Sequence, residues 1–517
     1  MPTRFLAPLV LVLLFHSACQ QDPSSNDAQP LGTDNTALSK GERLARIRCA
    51  SCHEYPEPDL LPRETWSKYV LPRMGYQMGI YPHDSIRQQL LEQGPVGKQV
   101  RAAGVFPAEA QISADDWQAI RSFYLRAAPE ALTQPTLEPL QMGLPNFTIR
   151  RPSYRLSPPS TTLVQFGDKG HIFLGDANSR AMYQFSPTLD MQRAAGLREG
   201  AVHRIEGEDR SWVTVMGSFS PTDAQLGLLV ELPNSSSERP KAIIQKLQRP
   251  VHTDRADLNG DGKADFVICE FAKWTGRLAW WSAQPDGSYQ PHLLREQPGA
   301  TQAYIRDLNG DQHMDIVALF GQGDEGIFAY YNDGQGNFRE ARLLSFPSSY
   351  GSSSFQLLDY NGDDAPDILY TCGDNADYPP VMKPYHGVRI FENRGNNSFE
   401  EALFLPLHGA YGAEAADFDQ DGDLDIAAIS FFPDYGQDSK RGFVYFQQQS
   451  NGSFRPFGFP QVDVGRWIVM DSGDPDGDGD LDLILGALTF EVVPPNELLE
   501  TWVNQGTPFL LLENQLY

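Results

Sequence analysis

The feature that most constrains this chain is a nine-residue acidic pattern that returns five times in its second half. Each copy sets an oxygen-bearing side chain at positions 1, 3, 5 and 9. The first three copies are Asp257, Asn259, Asp261, Asp265; Asp307, Asn309, Asp311, Asp315; and Asp359, Asn361, Asp363, Asp367. The last two are Asp417, Asp419, Asp421, Asp425 and Asp474, Asp476, Asp478, Asp482. A tight loop that turns these oxygens and the position-7 carbonyl towards one point offers hard ligands in the number that calcium takes. An EF-hand is excluded, because its loop needs a glutamate at position 12. Here that position holds Ile268, Ala318, Tyr370, Ala428 and Leu485. Each ninth-position aspartate instead leads into an apolar run, such as Phe266-Val267-Ile268, so the unit reads loop-then-strand. Position 6 favours positive φ and hence glycine. Gln312 and Asp364 replace it in the second and third copies, which predicts weaker loops there.

Successive first aspartates lie 50 to 58 residues apart, room for about four strands, the content of one propeller blade. Hairpin signals fall inside the units at Asp333-Gly334 and Asn451-Gly452. Upstream, Thr161 to Gln184 and Trp212 to Leu232 read as two further blades that have lost the acidic pattern. Two and five make seven. A strand near Phe147 to Arg150 is expected to complete the last blade and remove exposed sheet edges. The repeats, over about residues 250–517, resemble the FG-GAP/VCBS repeats of integrin α-subunit propellers and of bacterial secreted proteins. That resemblance implies a mainly-β seven-bladed propeller over residues 134–517, holding up to five Ca2+. The long aromatic loops Tyr378 to His386, Phe431 to Tyr435 and Phe490 to Asn496 are expected to pack over the propeller mouth; a binding face is the alternative.

A second motif stands near the N-terminus: Cys49-Ala50-Ser51-Cys52-His53. This C-x-x-C-H spacing attaches c-type haem, with thioethers at Cys49 and Cys52 and His53 on the iron. A zinc site would need two more Cys or His ligands nearby, and His83 is the other histidine of the region. A thioredoxin-like pair would need a βαβ context. Leu38 to Cys49 is expected to form a helix in which Gly41 and Ala45 let another helix approach. Residues 113–127 form a second, amphipathic helix, with Ser113 and Asp116 as its capping pair and Trp117, Ile120, Phe123 and Tyr124 on its apolar face. Residues 37–133 thus resemble a small all-α class I cytochrome c domain. The resemblance implies a methionine as second axial ligand: Met74, which follows Pro72 as in that family's ligand loop, ahead of Met78, with His83 third. A C-x-x-C-H domain before such repeats resembles a bacterial family of VCBS-repeat cytochromes.

Arg4 and the apolar run Phe5 to Phe15 fit a signal peptide, residues 1–18. His16-Ser17-Ala18-Cys19 resembles a lipobox, which implies acylation of Cys19, although His16 stands where an aliphatic residue is usual. Ordinary secretion with cleavage nearby is the alternative. Residues 19–36 are polar and rich in Pro, Ser, Asn and Asp, a flexible tether. The expected location is the periplasm or cell surface, anchored in the bilayer by acyl chains, with the outer membrane ahead of the inner. Cys269 and Cys372 are expected to be buried free thiols.

The formal net charge of −26 excludes a nucleic-acid partner, which would need a basic surface. The five loops hold 20 of the 67 Asp and Glu residues and account for much of that charge. The expected function is electron transfer by one covalent haem, with the propeller as docking platform for redox partners at the membrane. The alternative is a propeller that oxidises a substrate or binds a ligand or surface, with the haem as electron exit. No catalytic residue is assigned, and a nucleophile motif or nucleotide fingerprint is not seen in the sequence.

Overall fold

The computed structural model describes residues 38–198, 200–234, 238–376, 380–490 and 496–516. The expected leader and tether, with Cys19, and parts of two aromatic loops lie outside the described residues. Lys40–Tyr517 forms one compact unit, a small helical region followed by a large propeller.

Helix α1 (Lys40–Arg48) ends in a 3-10 turn at Cys49–Ser51. A second segment runs from Arg63–Thr65 through a π turn at Trp66–Val70 into α2 (Leu71–Gln77). Then follow α3 (Asp84–Leu90), α4 (Gly94–Ala102) and α5 (Ala114–Ala127). The start of α5 is fixed as its sequence suggests: the Asp116 amide donates to Ser113 Oγ at 3.1 Å, a cap contributing about 1 kcal/mol. Its apolar stripe buries Trp117, Ile120 and Tyr124. Helix α1 crosses that helix at Gly41, where an added Cβ would sit 2.2 Å from the Ala119 carbonyl oxygen. Two long-range bonds tie the loop after the cysteines to this core. Tyr124 OH donates to Pro56 O at 2.7 Å, and Trp66 Nε1 to Pro58 O at 2.8 Å.

The described strands form seven sheets of the propeller. In chain order the blades occupy residues 161–196, 201–247, 250–295, 300–345, 352–406, 410–458 and 467–514. The seventh has three strands of its own, and Phe147–Arg150 adds the fourth, antiparallel to Phe509–Asn514 with Ile149 opposite Leu512. One end of the propeller segment thus closes on the other, as expected, and Phe147–Arg150 becomes the outer strand of that blade. Gln141–Met142 adds a short parallel strand to the sixth blade.

The second strand of each of the last five blades is buried at all six positions, from Asp265–Glu270 to Asp482–Ala487. Neighbouring blades cover both faces of these strands, which is why they read as continuous apolar runs rather than alternating ones. The two upstream blades replace the acidic loop with short turns at residues 167–171 and 206–209.

Strand direction alternates within a blade, so loops after the first strand leave one face of the ring and loops after the second leave the other. The acidic loops are all of the first kind. The helical region meets the opposite face. Glu92 Oε2 accepts from Thr222 Oγ1 at 2.8 Å, Gln99 Nε2 donates to Thr275 Oγ1 at 3.0 Å, and Phe106 packs edge-on against Trp274 at 5.1 Å. Asp223, buried, accepts the Trp274 and Thr275 amides at 2.8 Å each and shapes that seat. It belongs to this face and not to an acidic loop.

Candidate functional site: a cysteine-histidine turn and an array of acidic loops

The C-x-x-C-H segment begins where α1 tightens into its 3-10 turn. Cys49 is buried and Cys52 exposed, and both are free thiols. Burial pushes the Cys49 thiol up to about 11, against a lowering hydrogen bond from Tyr124. His53 is half-buried, and its Nδ1 lies 2.7 Å from the Glu54 carbonyl oxygen. A carbonyl only accepts, so Nδ1 carries a proton, and in the neutral ring Nε2 is then the ligating nitrogen. Met74 and Met78 both pack against the core that contains Cys49, Trp66, Ile120 and Tyr124. The Met78 amide donates to Met74 O at 3.2 Å, so the two side chains start one helical turn apart and either can serve that core. His83 is exposed and takes no part in it.

The propeller holds this segment from below its loop. Ser345 Oγ donates to Glu54 Oε2 at 2.7 Å, and Tyr385 OH to Leu60 O at 3.0 Å. Tyr385 stacks on Tyr350 with ring centroids 4.6 Å apart. The described part of that aromatic loop is therefore packing, as expected. Phe431 and Phe432 likewise pack with Leu488 in a buried cluster.

The acidic loops share one geometry. In the first, Asp257 Oδ1 accepts the Gly260 amide at 2.9 Å and Asp257 Oδ2 the Gly262 amide at 2.8 Å, which curls the loop. The second repeats this from Asp307 and the third from Asp359. Position 6 has positive φ throughout: 80° at Gly262, 69° at Gln312, 64° at Asp364, 98° at Gly422 and 96° at Gly479. In the fourth and fifth loops three carboxylates converge, Asp417, Asp419, Asp421 and Asp474, Asp476, Asp478, with oxygens within 4.8 Å of one another. Such triads can hold a divalent cation. Asp423 Oδ1 and Asp482 Oδ2, in the same two loops, are buried oxygens without a hydrogen-bond partner. Burial foremost raises Asp425 and Asp482 to about 7 each.

The ninth-position aspartates have a structural bond set of their own. Asp265 accepts the Leu258 amide at 3.1 Å and the Ala283 amide at 2.8 Å; Asp315 accepts those of Leu308 and Asn332 at 3.1 and 2.8 Å. They pin the loop to the third strand. Adjacent blades are then stitched through the loops: Asn332 Nδ2 donates to Leu258 O at 2.8 Å, Asn397 Nδ2 to Leu308 O at 3.0 Å, and Asn514 Nδ2 to Phe418 O at 2.7 Å.

The FG-GAP-like repeat family matches residues 257–318, 307–370 and 381–428. The fold is accordingly an FG-GAP-repeat seven-bladed β-propeller. Among solved structures, the chain is similar to BBS1N in complex with ARL6DN, at 10% identity and a TM-score of 0.42, over 72% of this chain and 97% of that one. It is also similar to virginiamycin B lyase from Staphylococcus aureus, at 9% identity and a TM-score of 0.44, over 71% of this chain and 99% of that one. No curated protein matches the chain.

One set of polar residues was not singled out in the sequence. Asp254, Glu414 and Asp471 occupy one register position of three inner strands, opposite Val267, Ala427 and Ile484. Asp254 accepts the Ile305 amide and Asp471 the Phe166 amide, each at 2.7 Å, joining one inner strand to the next. Gln356 does the same for Ala415 at 3.2 Å. Burial raises Glu414 to about 8 and Asp471 to about 6. The available signal is an acid or amide three residues before the first aspartate of four of the five loops, with Tyr304 in that place in the second.

Proposed function

We propose that the FG-GAP propeller is a binding and docking platform, and that the helical region seated on it is a c-type cytochrome domain serving as electron exit. The observation that carries this reading is the seat of the C-x-x-C-H segment, whose neighbours Glu54 and Leu60 bond to Ser345 and Tyr385 of the propeller. The donor set fits a haem: two free thiols in one turn, an imidazole with Nε2 available, and two thioethers on the same core. Cys49 and Cys52 would hold the ring covalently, with His53 and Met74 as axial ligands. Bound there, a haem supplies a one-electron iron couple, and a thioether ligand raises its potential.

The chain's own residues set the conditions for that couple. Glu54 O fixes the His53 tautomer, and the propeller fixes Glu54. Trp66 and Tyr124, with ring centroids 4.5 Å apart, form an apolar wall behind Cys49. The acidic loops take Ca2+ on the opposite face, so calcium stabilises the ring and stays out of the electron path. Redox partner proteins at a membrane surface are the proposed donors or acceptors, with Cys19 as lipid anchor and the periplasm or cell surface as location. Among the described residues no helix is long and apolar enough to cross a membrane.

The test is expression of the full chain with haem-maturation enzymes, followed by haem staining on a denaturing gel. Wild type is expected to stain, and Cys49→Ala with Cys52→Ala to lose the stain while keeping the propeller's circular dichroism. An unstained wild-type band overturns the haem part of the reading.

A further inference from the structure

The first two blades, which lack acidic loops, leave a cleft of about 280 Å³ between them, at the lower end of small-molecule sites. Its floor is unusual. At one register position of the inner strands the other six blades carry Val164, Thr253, Ala303, Phe355, Ala413 and Met470. The second blade carries Arg204 there, opposite Val213, and only 1% exposed. A buried guanidinium is expensive unless paired. This one bonds Glu206 Oε1 at 2.7 Å and Gln165 Oε1 at 3.3 Å, and lies 3.7 Å from the centroid of the Phe173 ring. Its Nε, like His171 Nδ1, is buried without a partner. A cleft of this size with a polar lining can take an occupant that hydrogen-bonds.

The lining narrows the class of that occupant. Lys169, Arg193 and Arg204 are balanced by Asp168, Glu206 and Glu208, so the cleft selects neither an anion nor a cation. Arg204 is already neutralised by Glu206. Gln184 and Asn234 add planar amides, while Tyr183 and Leu232 give apolar surface. We propose that this cleft binds a neutral polyhydroxylated ligand the size of one sugar residue. Its hydroxyls pair with the Gln184 and Asn234 amides and with Lys169, which line the cleft, and its C–H face lies on the apolar wall. The proposal deepens and rests on the reading of the propeller as a binding platform, and it is independent of the haem.

The experiment is saturation-transfer NMR and calorimetry on the purified full chain with glucose, galactose, mannose, xylose and N-acetylglucosamine, one at a time. At least one is expected to bind, and Gln184→Ala and Lys169→Ala, both on the cleft rim, are each expected to weaken it about tenfold or more with unchanged melting temperature. Binding by none of the five, or binding that both variants leave intact, overturns the proposal. Haem staining of the same preparation reports separately on the electron-exit reading, so the two fail independently.

Discussion

Ser345 lies 291 residues from Glu54, yet their 2.7 Å bond is the most direct link between the propeller and the proposed iron ligand. Removing it in Ser345→Ala frees the Glu54 carboxylate and so loosens the residue whose carbonyl holds the His53 Nδ1 proton. A weaker bond there makes the imidazole a poorer donor, so the reduction potential is expected to rise in spectroelectrochemical titration while the axial-ligand bands stay in place. An unchanged potential would show that the propeller does not tune the site. Gln312 offers a second test. It holds φ at 69°, a region costly for any side chain with a Cβ. Gln312→Gly is expected to raise stability by roughly 1 kcal/mol in denaturant melts. The strain at Gln312 was legible from its position in the repeat. The Ser345 contact was not, because a single hydrogen bond between distant segments leaves no periodic trace.

At the scale of the element, an acidic loop sets two demands against each other. Clustered carboxylates repel, and folding raises those of Asp425 and Asp482 to about 7. For a carboxylate raised by folding, the stabilising contribution is complete below the unfolded value and is lost as pH climbs through the folded one. Calcium-free protein is therefore expected to melt several degrees lower at pH 8 than at pH 5. Calcium should restore the loss at pH 8, contributing about 2.7 kcal/mol per site at a hundredfold excess over Kd. Asp419→Ala with Asp476→Ala should remove the share of the calcium response that the fourth and fifth loops supply in calorimetry, and a melt indifferent to chelator would refute calcium binding. The loops themselves were plain in the sequence. The bonding of the ninth aspartates to strand amides was not, since one residue type serves equally as cation ligand and as backbone bridge.

For the whole molecule, closure is the decisive structural event. Phe147–Arg150 completes the seventh blade, so Ile149→Ala, which strips a side chain packed on the core between the sixth and seventh blades, should destabilise the ring by about 2 kcal/mol in urea unfolding. Blade number followed from the five spaced repeats and two upstream segments without the acidic pattern, and the closing strand from the need to complete the last blade. The helical seat and the Arg204 cleft did not, because each depends on which blades lost their loops and on what then fitted the space. Electron transfer as proposed needs iron held at one face of this ring. The visible spectrum of the purified full chain, matured with haem and recorded oxidised and reduced, tests it most directly. A covalently attached chromophore that titrates reversibly as one electron is the predicted result. A colourless protein with an intact, calcium-responsive propeller would contradict it.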